Sequence, residues 1–162
     1  YRFDTGIDPA VKEALPSMGL TFKSMHLESR AKFGRVASLF FAYCMIVDKR
    51  LQIPSDAPDS FFSKAKESLY FAYLKKKERW EGGEKAFIKT LSEGSGIGVA
   101  DFASARKNKS VIALADSWKV AQRIADIQGV PAYVVNGKYL IVTKAIRSKK
   151  DFIERIKRVA KR

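Results

Sequence analysis

The chain has 162 residues, 46% hydrophobic and 12% aromatic, enough for one packed domain with an insertion and too apolar for a disordered chain. No apolar run approaches the ~20 residues a helical membrane span needs; the longest, Val36–Val47, reads as a buried helix. The net charge of +14 is compatible with nucleic acid, anionic lipid or acidic proteins as partners. However, the clusters Lys75–Lys77, Lys107–Lys109, Arg147–Lys150 and the tail from Arg155 are dispersed, carry no nucleic-acid motif and read as solvated faces.

In chain order, Asp8-Pro9 predicts a helix start, with Asp8 as N-cap and Pro9 at the first helical position. That helix ends near Pro16 and is either short or the last part of a longer one from about Arg2. Gly19–Leu27, GLTFKSMHL, mixes β-branched and aromatic residues and predicts a strand. Helix then follows helix. Ser29–Asp48 carries Phe33, Val36, Ala37, Phe40, Phe41, Cys44 and Met45 at helical spacing. Pro54–Pro58 predicts a loop, and Asp59 to about Leu74 a helix with Phe62, Ala65, Leu69 and Ala72 on one stripe. Trp80–Gly83 reads as a turn. Glu84 to about Ser92 reads as a short helix ended by Gly94 and Gly96, and Val99 to about Lys107 as another, started by Asp101 or at Gly98. Ser110 to about Ile127 predicts one long helix with Ile112, Ala115, Val120, Ala121, Ile124 and Ala125 inward. Ala132–Val135 predicts a strand, Asn136-Gly137 a two-residue type I′ turn, and Tyr139–Val142 the returning strand. Ser148-Lys149-Lys150-Asp151 has the form of a capping box with Asp in the acidic position. The terminal helix it opens, Lys149–Ala160, buries Phe152, Ile153, Ile156 and Val159.

The residue inventory limits the chemistry. The single cysteine, Cys44, forms no intrachain disulfide and reads as a small buried apolar residue; the single histidine, His26, reads as structural. One His and one Cys far apart make no closed metal shell, so no metal and no cofactor are expected. GSGIG at Gly94–Gly98 lacks the Lys-Ser/Thr of a phosphate loop and reads as a helix break. Trp80 and Trp118 read as core or interface. Tyr70, Phe71 and Tyr73 pack inward by default, with an aromatic patch over a substrate groove as the alternative.

Two segments carry a resemblance. GVPAYVVNGKY, from Gly129, resembles the closing segment of the DsbA-type thiol-disulfide oxidoreductases of the thioredoxin superfamily. YRFDTGIDPAVKEALPSMGLTFKSMHLE, from Tyr1, is similar to the family segment that follows the CxxC motif, with Tyr1, Arg2, Phe3 and Asp4 opening the dithiol-bearing helix. The resemblance implies an α/β, thioredoxin-like fold with an inserted helical domain. Residues 1–28 and 129–162 would form the core, and 29–128 the insertion with its connecting helix. It implies a cis bond between Val130 and Pro131, with that loop and Tyr1 binding substrate beside the dithiol. Read alone, Pro131 could simply open an edge strand, where proline is tolerated.

The sequence departs from the family in lacking CxxC and the first strand. Tyr1, rather than Met, opens the chain without a signal-peptide pattern, and the expectation is a truncated or processed start with the dithiol just upstream. In the implied fold the missing strand lies between the second strand and the hairpin. Its absence would leave buried N–H and C=O groups unpaired at ~1–3 kcal/mol each, so those residues, or a strand from another chain, should fill the gap. A cysteine at a helix N-terminus favours thiolate, and Asp4 is either a residue that tunes it or an ordinary acid of a first helical turn. The implied function is formation or isomerisation of disulfides in exported proteins, in the periplasm. The implied partners are unfolded or partly folded proteins with cysteines and a membrane redox partner, a DsbB-like oxidase or DsbD-like reductase, with no nucleic acid. The alternatives are a redox-inactive thioredoxin-like module that binds peptides and, more remotely, a basic nucleic-acid binder.

Overall fold

The computed structural model describes residues 8–162. It divides into two compact units, one made of the chain up to Lys23 with Ala121–Arg162, the other of Ser24–Val120.

The first unit is built on a hairpin and helices. Helix α1, Asp8–Ala14, buries Val11, and Leu15 follows it inward. Strands β1, Tyr133–Val135, and β2, Tyr139–Ile141, pair antiparallel in the register Tyr133↔Ile141 and Val135↔Tyr139. Asn136 and Gly137 both have positive φ, 53° and 66°, as a type I′ turn requires. The turn closes through Lys138 N–H to Val135 O at 3.1 Å. The ladder resumes only at Tyr139, so Lys138 is one residue more than the two-residue loop expected. Alternate side chains of both strands point to one face, where Val135 and Ile141 join Val11, Leu15, Phe152 and Ile156 in a small core. The last two come from the terminal helix, Lys149–Ala160, whose bounds are those expected. Ser148 Oγ accepts the Asp151 N–H at 3.1 Å, while the Asp151 carboxylate reaches back to the N–H of Arg147 at 2.9 Å. That is one residue earlier than the reciprocal bond of a capping box.

The strand expected over Gly19–Leu27 is absent: the only sheet among the described residues is the hairpin. Thr21, Lys23 and Met25 are exposed while Phe22, Ser24 and His26 are half-buried, which is the two-residue period of a strand. The propensity is present, but a strand exists only through its ladder, and no described segment supplies one.

The second unit is helical. It contains α2, Gly34–Arg50; α3, Phe61–Tyr70, extended by a π-turn over Phe71–Lys75; α4, Gly83–Ser95; α5, Val99–Ala105; and α6, Lys109–Ser117. Helix α2 starts later than its apolar pattern because Glu28–Arg30 forms a separate 3-10 turn. Phe40, with no exposed surface, meets Phe102 at 4.7 Å, and Phe41 meets Phe62 edge-on at 5.5 Å. The buried Asp48, near the end of α2, is satisfied by the N-terminus of α3: its carboxylate accepts the N–H groups of Phe61 at 2.8 Å and Phe62 at 3.1 Å. Ser60 Oγ accepts a third, from Ser63, at 3.0 Å. Gly94 does not end α4. It lies inside the helix, where a Cβ would collide with Ser68 of α3, whose hydroxyl donates to Thr90 O at 2.9 Å. The helix ends instead at Gly96, in the left-handed region at φ 84°.

The long helix expected over Ser110–Ile127 is two, α6 and α7, Val120–Gln128. Trp118 and Lys119 donate three residues back, to Ala115 O at 3.2 Å and Asp116 O at 3.1 Å, a tightening that ends a helical turn. Trp118 turns into the core, and Val120, expected inward, is exposed.

Candidate functional site

The segment that joins α7 to β1 is the strongest candidate. Gly129 follows α7 with φ 81° and donates its N–H to Ala125 O at 2.6 Å. Among the described residues no atom would meet a Cβ there, so the left-handed backbone, rather than space, calls for glycine. The next peptide bond, Val130–Pro131, is cis. Val130 is 64% exposed, and no described residue hydrogen-bonds its backbone N–H or C=O. Pro131, half-buried, has no N–H to donate.

Both flanks of this loop are tied down. Gln128, the last residue of α7, donates from Nε2 to Ile141 O at 2.9 Å and accepts the Thr143 N–H on Oε1 at 3.4 Å. The Tyr133 hydroxyl donates to Asp8 Oδ1 at 2.5 Å, and its ring meets Phe152 edge-on at 4.8 Å. Neither pair was singled out in the sequence. A glutamine before Gly-Val-Pro was the available signal for the first. The second joins residues too far apart in the chain for any local signal, and Asp8 was expected only as a cap.

Of the expected site residues, the structure brings Val130 and Pro131 together on this loop. Tyr1 and Asp4 lie outside the described residues. Cys44 belongs to the helical unit, where it is a free thiol with no exposed surface. Burial, and then the charge of Asp48, push its thiol well above the ordinary range, so it supplies no thiolate at neutral pH. His26 Nδ1 lies 2.8 Å from Ser38 Oγ and its ring meets Phe41 edge-on at 5.1 Å. Burial lowers its pKa to about 4, against a smaller opposing pull from Glu28, which makes it a neutral packing residue. Phe71 and Tyr73, expected to pack inward, are exposed on either side of the buried Ala72. The π-turn presents 72 to the core and leaves its neighbours outside. Tyr73 stacks on Trp80 at 6.3 Å and carries the Arg79 guanidinium at 4.1 Å from its ring.

No protein-family model matches the chain. Among curated proteins it is 43% identical over 150 residues to the thiol:disulfide interchange protein DsbL of Escherichia coli O6:H1, an alignment that spans 91% of this chain and 67% of that protein. The chain belongs to the DsbL family of thiol:disulfide interchange proteins. The family's protein from Lelliottia amnigena is 40% identical over 162 residues, spanning 99% of this chain and 72% of its own length. The crystal structure of reduced DsbL superposes with a TM-score of 0.93 at 40% identity, covering all of this chain and 84% of its own. The fold is therefore the DsbA-type thioredoxin fold with inserted helices. The activity of the family is thiol–disulfide interchange, an oxidoreductase chemistry that engages protein substrates and redox partners. The redox-inactive binding module and the nucleic-acid binder give way to it.

Proposed function

We propose that the Val130–Pro131 loop receives an extended segment of a substrate protein and presents its cysteine to a dithiol carried by residues that precede Tyr1. Support comes from one observation above all: on a member of this family, an exposed Val130 follows a left-handed glycine, precedes a proline, and has a backbone that no described residue hydrogen-bonds. Such a backbone can add a substrate strand by pairing N–H to C=O and C=O to N–H. The proline contributes no competing donor.

In the oxidising direction, a substrate thiolate attacks one sulfur of the enzyme disulfide. A mixed disulfide forms and the second enzyme sulfur leaves as thiolate. A second substrate thiolate then attacks the substrate sulfur of that bond and releases the first enzyme thiolate. The substrate loses two electrons and two protons, and the enzyme is left as a dithiol. In isomerisation a thiolate of the reduced enzyme attacks a substrate disulfide, and the substrate thiolate so released opens a second substrate disulfide. The thiolate freed there displaces the enzyme, which ends as it began with no net electrons moved. The substrates are exported proteins with cysteine pairs, the compartment is the periplasm, and a membrane oxidase or reductase resets the dithiol. Asp4 would adjust the dithiol, and Tyr1 would bind substrate beside it.

The test is capture of a cysteine peptide as a mixed disulfide by the full-length protein. Val130→Pro removes the N–H and should weaken capture by up to about tenfold, the value of one hydrogen bond, while circular dichroism stays native. Undiminished capture by the folded variant would refute strand addition at this loop. The mass of the intact full-length protein, before and after reduction, denaturation and thiol alkylation, should reveal at least two cysteines besides Cys44; their absence would refute the dithiol assignment.

A further inference from the structure

We infer that Gln128 and Tyr133 are positioning residues for thiol–disulfide interchange, tethering the two flanks of the Val130–Pro131 loop so that its backbone is already in place when a substrate strand arrives. This rests on the reading that Val130 pairs with substrate.

The geometry of Gln128 is that of a substitute peptide group. Ile141 O can only accept and the Thr143 N–H can only donate, so the side-chain amide must face them with its NH2 and its oxygen respectively. It does so at 2.9 and 3.4 Å. Ile141 is the last residue of the ladder, paired with Tyr133. Gln128 therefore continues the hydrogen bonding of β2 past the point where β1 stops, and fixes the end of α7 to the end of the hairpin. On the other flank, the Tyr133 hydroxyl fixes β1 to Asp8 in α1 at 2.5 Å. Between the tethers only Gly129, Val130, Pro131 and Ala132 remain. A loop held at both ends binds with less ordering cost than a free one, so loosening a tether weakens peptide binding and leaves the chemistry of the dithiol as it was.

Two nearly isosteric variants of the full-length protein separate positioning from general support. Gln128→Met keeps the length and apolar stem of the side chain and removes both hydrogen bonds. Tyr133→Phe keeps the ring on Phe152 and removes the hydroxyl. Oxidation of a cysteine-pair peptide is measured against peptide concentration, and oxidation of dithiothreitol, a small dithiol that pairs with no strand, is measured beside it. Gln128→Met should raise the KM for peptide about five- to tenfold and Tyr133→Phe about threefold, the scale of one or two hydrogen bonds. In both, kcat should stay within about twofold of wild type and dithiothreitol oxidation should be unchanged. Unaltered peptide KM in both, with Val130→Pro still defective, would overturn the positioning role and leave the substrate reading intact. An equal fall in peptide and dithiothreitol rates would also overturn it, because the residues would then act on the dithiol or on the fold. A silent Val130→Pro would remove the substrate reading and this inference together. If Gln128→Met fails to fold, Tyr133→Phe carries the test alone.

Discussion

The helical unit and the hairpin unit solve their packing in different ways. In the helical unit, α2 is buried through most of its first half, and aromatic pairs such as Phe40–Phe102 and Phe41–Phe62 fill the space around it. Its buried acid, Asp48, finds two backbone donors nearby. In the hairpin unit the core among the described residues is Val11, Leu15, Val135, Ile141, Phe152 and Ile156, while Ile127, Val130, Val134 and Val142 are exposed. A two-stranded sheet is marginal without further cover. The lesson is a division of labour. One unit closes a large aromatic core around α2, and the other a small core that leaves Val130, on the proposed substrate loop, exposed with a backbone that no described residue hydrogen-bonds.

The comparison breaks first at the aromatic centres. Phe40→Ala should cost about 3–5 kcal/mol, the range for a fully buried aromatic truncated to alanine, read as a lower midpoint in chemical denaturation. Phe152→Ala removes the equivalent residue of the smaller core, also without exposed surface. It should cost less, because a small core relaxes more readily around a lost ring. A larger loss for Phe152→Ala would show that the hairpin unit is the better packed of the two.

The next effect is electrostatic. His26 is held neutral, with a pKa lowered from 6.5 to about 4. The unfolded chain therefore takes up the proton first as pH falls. Stability is full above about pH 6.5, declines between there and about pH 4, and is constant below as far as this residue is concerned. The total is on the order of 3 kcal/mol. In His26→Gln the decline between pH 7 and pH 4 should shrink by that amount, and an unchanged decline would place its source elsewhere.

Smaller again is the cap on α3. Asp48→Ala leaves the N–H groups of Phe61 and Phe62 without their carboxylate and should cost about 1–3 kcal/mol. Because burial raises the Asp48 carboxyl above its ordinary range, the folded state binds that proton more tightly than the unfolded chain. The cost of the substitution should therefore be smallest near neutral pH and grow as pH falls through the carboxylate range. A cost independent of pH would contradict that direction. The smallest effect is at Cys44→Ala. Thiol–disulfide interchange should be unchanged and stability lowered by about 1 kcal/mol. A folded but inactive variant would place redox chemistry in the helical unit after all.

Much of this was readable in advance where the instruction is short-range. Asn136-Gly137 specifies its turn through the φ angles these residues tolerate. Pro131 stands just before the first strand of the hairpin, as its place in the sequence suggested. Ser148 and Asp151 start a helix whose bounds agree with the apolar stripe. What could not be read is of another kind. Gly19–Leu27 has a strand's composition and alternation without a described ladder. Trp118 interrupts a stripe that continues through it, and Gly94 sits inside a helix because Ser68 approaches it from another element.

Local stereochemistry is carried by each residue wherever it is placed, so the Asn136-Gly137 turn, the Ser148 cap and the stripe of the terminal helix were decided in the chain itself. Pairing depends on which distant group arrives at hydrogen-bonding or van der Waals range. The clamp of Gln128 on β2, the bond from Tyr133 to Asp8 and the capping of α3 by Asp48 were therefore settled only when the chain closed on itself.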